Sequence, residues 1–248
     1  MKKLIITAAG GNATAIQIIS RALSRSEYAT IGRELILSNQ DSLVEQSGFL
    51  IPKLNHFEMS GGEFCGNTAR AAALLLSILL EKKDVSFSMS GFANQVSGNV
   101  SNNNGKYIVT CSFPGLPLIV SLLDWPKPAA IIDLGGIVHV VIEDKFPEDY
   151  ENEHRRLISQ LGLLEREAVG VVWAERFATG VRINPVVWVK EINSFFYESS
   201  CGSGSIAVAK FFGLGNIEQP SGKFITVELL PELIKLSSEM EIIKVIDE

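Results

Sequence analysis

Residues Ser60–Ala73 read SGGEFCGNTARAAA, and the place of Cys65 in them decides the fold. Gly61, Gly62 and Gly66 bracket a cysteine that opens a run rich in alanine and leucine. Asn67 to Leu80 is made of strong helix formers and is apolar nearly all round, which predicts a helix buried on every side. A second stretch, YESSCGSGSIAVA at Tyr197–Ala209, repeats the device around Cys201. In both, a glycine and a small polar residue follow the cysteine. Alanines then fall at the sixth and eighth positions beyond it, Ala71 and Ala73 in one, Ala207 and Ala209 in the other. Gly10-Gly11 and Gly135-Gly136 stand upstream of the two cysteines. Two copies of one α/β unit, each delivering a cysteine at a helix start, predict a site between the halves.

The surrounding pattern supports two halves. The chain has 248 residues, enough for one large domain or two of ordinary size. LIITA and AIQII read as strands, SEYATIGRELILS as a helix with Ser26 as its N-cap, and GFLIP and HFEMS as short strands. VSFSMS, QVSGNVS and KYIVTCSF read as strands, with NNNG at 102–105 as a hairpin turn. Two prolines in DWPKPAA stop regular structure and mark a linker at 125–129. Beyond it come strands at AAIIDLGG and VHVVIE and an amphipathic helix at YENEHRRLISQLGLL. VGVVWAE, RINPVVWVK and NSFFYES follow as strands, then a buried helix from Ser203 to Phe212, and KFITVEL as a last strand. The expected halves are 1–124, carrying Cys65, and 130–234, carrying Cys201. The segment after Leu230 carries no clear signal.

Composition excludes several function classes. A net charge of −6 disfavours nucleic acid, whose phosphates need a basic patch. The longest apolar run, Ala71–Leu80, is far shorter than a membrane span. Leu4–Ala9 is too short for the core of a secretory leader, so the expectation is a cytoplasmic protein. The three cysteines, Cys65, Cys111 and Cys201, form no CxxC pair, which argues against a disulfide framework or a structural zinc site. Cys111 lies in an alternating run and reads as a small packed hydrophobe. No GxGxxG or Walker loop is present, so the expectation is no cofactor and no metal.

The chemistry open to two such cysteines is proton transfer. A helix N-terminus presents free N–H groups and partial positive charge, which favours thiolate over thiol and can hold a carboxylate. Gly66 and Gly202 let backbone approach a ligand closely. Two facing helix starts can grip one α-carboxylate and set a sulfur on each face of the α-carbon. One thiolate then takes the α-proton while the opposite thiol returns one. A nucleophilic cysteine with a histidine partner is the other functional reading, with His139 as partner, because His56 and His154 sit in polar settings that predict exposure.

CGNTAR, SCGSGS and the opening GGNATAIQI resemble the signature motifs of the diaminopimelate epimerase superfamily of cofactor-independent racemases. The resemblance runs through QPSG at 219–222. It implies two pseudo-symmetric domains, each a sheet wrapped around a central helix, with the C-terminal segment 235–248 returning to the first. It also implies that Cys65 and Cys201 are the two bases and that Gly66, Asn67, Gly202 and Ser203 hold the substrate's carboxylate and amino group. Asn12 and Gln46 match pocket positions, and His139 matches a histidine that supports one cysteine. A homodimer stays open.

The departures point to a narrower branch. Diaminopimelate epimerases carry an arginine shortly before the second cysteine, for the substrate's distal carboxylate. Here KEINSFFYESSC has none between Lys190 and Cys201. The family's CGNG is CGNT, and an asparagine before the first motif is replaced, with Glu58 in its place. MSGGEFCGN, VEQSGF and PVVWVKEINSFFYESSCGSG look like the histidine racemases that serve staphylopine-type opine metallophores. Histidine is thus the favoured substrate, with Glu45 and Glu198 suited to line an acidic pocket for imidazole. Either Glu198 or Glu191 supports Cys201. The alternatives are diaminopimelate epimerase or another amino-acid racemase, and a binding protein of the same fold without catalysis. Phenazine-biosynthesis isomerases of this fold lack the cysteine pair, so Cys65 and Cys201 argue against that branch.

Overall fold

Strand pairing in this chain follows the same succession twice. The computed structural model describes residues 2–39, 44–103, 106–191 and 194–247. The first run comprises β1 (Lys2–Ala8), β2 (Gly11–Ile18), α1 (Arg25–Leu37), β3 (Val44–Ile51), β4 (His56–Met59), α2 (Gly66–Leu80), β5 (Asp84–Met89), β6 (Phe92–Asn103) and β7 (Lys106–Pro114). β1–β2 is antiparallel, β2–β3 parallel across α1, β3–β4 antiparallel, and β4–β5 parallel across α2. The second run begins with β8 (Ile119–Leu122), β9 (Ala129–Asp133), β10 (Val138–Glu143), α3 (Tyr150–Gln160), β11 (Ala168–Phe177) and β12 (Gly180–Val189). It ends with β13 (Ser194–Tyr197), α4 (Gly202–Phe212), β14 (Asn216–Glu218), β15 (Phe224–Leu230) and β16 (Leu233–Asp247). There β9–β10 is antiparallel, β10–β11 parallel across α3, β11–β12 antiparallel, and β12–β14 parallel across α4.

The long last strand joins the two runs. Leu233–Met240 of β16 pairs with β7, and its first residues also pair with β15. Met240–Asp247 pairs with β1. The first seven strands and β16 therefore close into a ring, and α2 packs inside it against β1, β4, β5, β6, β7 and β16. α4 is surrounded in turn by β9, β10, β11, β12, β14, β15 and β16, and it touches α2. The proline-rich segment expected as a linker is the connection of a hairpin, because β8 pairs antiparallel with β9.

Burial follows from these rings. α2 is buried from Gly66 to Leu76, and each of Leu74, Leu75 and Leu76 contributes ~1.5–3 kcal/mol by leaving water. Its last turn, Ile78–Leu80, is exposed, so the helix is not buried on every side as its composition predicts. α1 and α3 lie outside the rings over smaller cores, around Tyr28 and Phe49 in one and Leu157 and Trp173 in the other. Ser24, not Ser26, caps α1: its side chain accepts from the Glu27 N–H and Glu27 reaches back to the Ser24 N–H. His154 is also not exposed as expected. It sits on the inner face of α3 with Leu157 and Ile158, edge-on to Phe195, fully buried. The expected turn at 102–105 lies partly outside the described residues. Among the described residues no helix is long and apolar enough to cross a membrane.

Candidate active site

The two inner helices begin alike. Cys65 and Cys201 are N-caps with nearly the same extended backbone, φ −136° and ψ 115° against φ −133° and ψ 108°. The helices meet start to start. A Cβ on Gly66 would lie 3.3 Å from Gly202 Cα, and one on Gly202 would lie 3.0 Å from the Asn67 nitrogen. The two glycines thus let one backbone approach the other, beyond any role in ligand approach. Both thiols are free and buried, and both face a cavity of about 30 Å³ lined also by Glu45, Gln46, Glu63, Asn67, Glu198 and Ser203. Of the expected site residues, Glu45, Gln46, Cys65, Asn67, Glu198, Cys201, Gly202 and Ser203 line this cavity, while Asn12, Gly66 and His139 do not. Glu191 is exposed on an outer groove beside Lys190, so Glu198 is the glutamate beside Cys201.

The sulfurs have different partners. Cys65 Sγ donates to Gln46 Oε1 at 3.3 Å, and Gln46 Nε2 donates to Glu198 Oε1 at 2.9 Å. Cys201 Sγ accepts the Gly204 N–H at 3.3 Å and lies 3.7 Å from Ser203 Oγ. Ser203 Oγ is 2.9 Å from His139 Nε2, so His139 reaches the cysteine only through Ser203. Burial pushes His139 down to about 3, which keeps the imidazole neutral.

Two asparagines fasten the second motif to the first half. Asn12 Nδ2 and Asn67 Nδ2 both donate to the Ser200 carbonyl, at 2.9 and 2.8 Å. The Asn12 N–H donates to Ser199 Oγ at 2.7 Å, and Ser199 Oγ donates to Glu45 Oε1 at 2.7 Å. Asn12 holds a left-handed backbone, φ 47°, which asparagine tolerates better than most residues. Asn67 Oδ1 accepts from the fully buried Arg70 Nη2. The Asn67 side chain is thereby engaged within the protein.

Electrostatics corrects one sequence expectation. Burial, then the charge of Glu198, push the Cys65 thiol up to about 11 and Cys201 well above its ordinary value. A rise from 9.0 to about 11 is worth roughly 3 kcal/mol, more than the ~0.3–2 kcal/mol of a helix start. Burial likewise lifts Glu198 to about 8 and raises Glu45 and Glu63. In this dry pocket charge is scarce, and Glu198 and Cys201 compete to carry it.

The profile of the family described as "Histidine racemase CntK N-terminal domain" matches residues 7–229. The chain belongs to this histidine racemase family. The family is one of isomerases. A histidine racemase of Fusobacterium nucleatum subsp. nucleatum is 28% identical over 203 residues, covering 76% of this chain and 75% of that protein. A Pseudomonas aeruginosa structure described as a predicted epimerase superposes with TM-score 0.70 at 13% identity, covering 100% of this chain and 98% of the other. A phenazine biosynthesis protein of the PhzF family from Enterococcus faecalis superposes with TM-score 0.60 at 15% identity, covering 98% and 97%. These two likenesses establish the mixed α/β epimerase-like fold.

Within this family site, sequence reading missed five residues. Arg70, Ser199 and Ser200 lay inside the quoted motifs, but nothing in one sequence tells a motif residue that holds the site from one that fills it. Gln219 accepts the Cys201 N–H at 2.8 Å and donates to Ser205 Oγ at 2.9 Å. Its position in QPSG, a turn after a short strand, gave no hint of that reach. Glu63, two residues before Cys65, is the fifth.

Proposed function

We propose that this chain racemises free histidine at the α-carbon with two cysteines and no cofactor. The single observation that carries the reading is the pair of matched helix starts, each presenting a cysteine to one cavity. The α-carboxylate lies against the N–H groups that open α2 and α4. Those donors stabilise the charge that builds on it as the carbanion forms, by up to ~3–4 kcal/mol per donor. One sulfur, as thiolate, takes the α-proton, and the other, as thiol, donates its proton to the opposite face. The product is the mirror image, the two sulfurs have exchanged states, and the reverse turnover is ready.

Resting states follow from the sulfurs' partners. Cys65 donates to Gln46 and serves as the acid. Cys201 accepts from Gly204, and the charge of Glu198 beside it opposes its ionisation until a substrate offsets that charge. The substrate's ammonium brings positive charge into a pocket where burial penalises thiolate, and so favours the charged sulfur. His139 positions Ser203, while Asn12 and Asn67 position the segment before Cys201. Glu45 and Glu198 give the pocket acidic walls that suit imidazole and repel a second carboxylate. The cavity, about 30 Å³, holds little more than a water, so entry requires the halves to part and catalysis requires them to close. Those halves are 1–124 and 130–234, pseudo-symmetric, with 235–248 completing the first and β8 standing beside β9. The family resemblance extends the reading to D-histidine supply for an opine metallophore.

Proton NMR of L-histidine in D₂O with the reduced enzyme tests this, with diaminopimelate in parallel and circular dichroism following optical activity. Loss of the histidine α-proton signal with decaying optical activity, abolished in Cys65→Ser and in Cys201→Ser, is expected. Exchange of diaminopimelate alone would keep the mechanism and overturn the substrate. Tight histidine binding without exchange would identify a binding protein.

A further inference from the structure

Three carboxyl groups line the cavity, and they are not equally occupied. Glu198 Oε1 holds Gln46 Nε2 and Glu45 Oε1 holds Ser199 Oγ. Glu63 is 8% exposed, and among the described residues its Oε2 has no hydrogen-bond partner. Space has been left for it: a Cβ on Gly61 would come within 2.4 Å of that oxygen. The nearby cation does not claim it. Arg25 Nη1 binds Glu58 Oε1 at 2.6 Å, and Nη2 binds the carbonyls of Met59 and Ser60. Glu63 is close enough to both cavity and thiol for its charge to bear on Cys65. A buried carboxylate oxygen without a donor has lost its hydration without replacement, and a ligand N–H removes that cost.

We propose that Glu63 is a specificity-determining residue, whose open carboxylate oxygen accepts an N–H from the side chain of an amino-acid substrate and so selects cationic or N–H-bearing side chains. This rests on the racemase reading above and names a contact that reading does not contain. Glu45 Oε2, also without a partner among the described residues, is a second acceptor in the lining of the same cavity. Two open acceptors match the two N–H groups of an imidazolium ring. An amino acid with an apolar or acidic side chain leaves Glu63 unsatisfied or opposes its charge.

The experiment compares L-histidine with L-3-(2-thienyl)alanine, a ring of similar size without an N–H, in α-proton exchange by the reduced full chain. Glu63→Gln keeps the volume and removes the charge. For histidine its KM should rise about tenfold or more while thienylalanine KM stays within about twofold, and any change in kcat from the lost charge near Cys65 should be the same for both substrates. Gly61→Ala keeps the Glu63 carboxylate but pushes its open oxygen aside, and should reproduce the selectivity loss even if Glu63→Gln fails to fold. Equal losses for both substrates, or none for either, would overturn the role of Glu63. A wild-type enzyme that exchanges thienylalanine and not histidine would overturn the substrate reading and this contact together, a pattern distinct from either.

Discussion

Cys65 and Cys201 share nearly the same cap backbone, yet their sulfurs keep different partners. The difference lies in what each half places behind its cysteine. Behind Cys65 is an amide, Gln46, which passes its own N–H on to Glu198. Behind Cys201 are a backbone N–H, a serine hydroxyl tied to a neutral histidine, and Glu198 itself. A duplicated scaffold sets the geometry twice. Unlike side chains then break the symmetry around the two sulfurs, which the proposed division into acid and base requires. A racemase needs that asymmetry, because two thiols or two thiolates cannot begin a turnover.

The sharpest way to break the comparison is to remove either sulfur. Cys65→Ser and Cys201→Ser should each lower racemisation by about 10²–10⁴-fold or more, since each removes one general acid or base. Circular dichroism should show the fold intact in both. If one variant kept near-normal rates by polarimetry, the two-base reading would fail and the cysteines would not be equivalents.

Glu198 tests the comparison through stability. Its folded value, about 8, lies above the ordinary 4.5, so the folded protein binds a proton more tightly than the unfolded chain. That contribution is full below about 4.5 and is lost as pH rises through about 8. Glu45 and Glu63 act in the same direction. His139 and His154, held down to about 3 and about 4, act oppositely: their contribution is present above 6.5 and lost on acidification. Urea unfolding of Glu198→Gln should therefore lose less stability than the wild type between pH 5 and pH 8.5, by a few kcal/mol. Parallel pH curves for the two proteins would show that the carboxyl is not perturbed.

The clamp on Ser200 is a smaller effect. Asn12→Ala and Asn67→Ala each remove one donor to the same carbonyl and should cost about 1–2 kcal/mol of stability. Losing both leaves a buried acceptor bare, so the double variant should lose more than the two single losses added together. Strict additivity in denaturant titrations would mean that the two amides do not share the carbonyl in solution.

The sequence made this site legible where local chemistry repeats, and obscured it where partners are distant. Cys-Gly before an apolar run betrays a helix start in both halves, because glycine and the run are needed for the backbone geometry itself. Glu63 gave no signal, since a carboxylate in SGGEFC looks like any solvated one until Gly61 is seen to make room for it. Ser24 was legible in principle: Ser24 and Glu27 have the three-residue spacing of a capping box, but Ser26 sits closer to the apolar residues. His154 was misread because only its place on the inner face of α3 distinguishes it from the charged residues beside it. β16 was the largest omission. Its buried positions alternate, Ile234, Leu236, Ser238 and Met240, but Ser238 occupies one apolar slot and hides the period. No local pattern tells that the strand closes one ring and borders the other.

The gentlest test leaves both sulfurs in place and alters only what stands behind each. Ser203→Ala cuts Cys201 off from His139, and Gln46→Ala cuts Cys65 off from Glu198. Each should lower kcat/KM by about tenfold, the worth of one neutral hydrogen bond at a reacting group. Enantiomers have equal free energy, so each variant must lose the same factor in both directions. Rates alone therefore cannot say which sulfur was weakened, but the primary deuterium isotope effect can. Weakening the base makes proton abstraction more rate-limiting, so Ser203→Ala should raise the effect in the direction where Cys201 abstracts. Gln46→Ala should raise it in the other direction. If both variants raised the effect in the same direction, the acid and base would not be divided between the halves as their partners imply, and the asymmetry behind the two cysteines would be structural rather than catalytic.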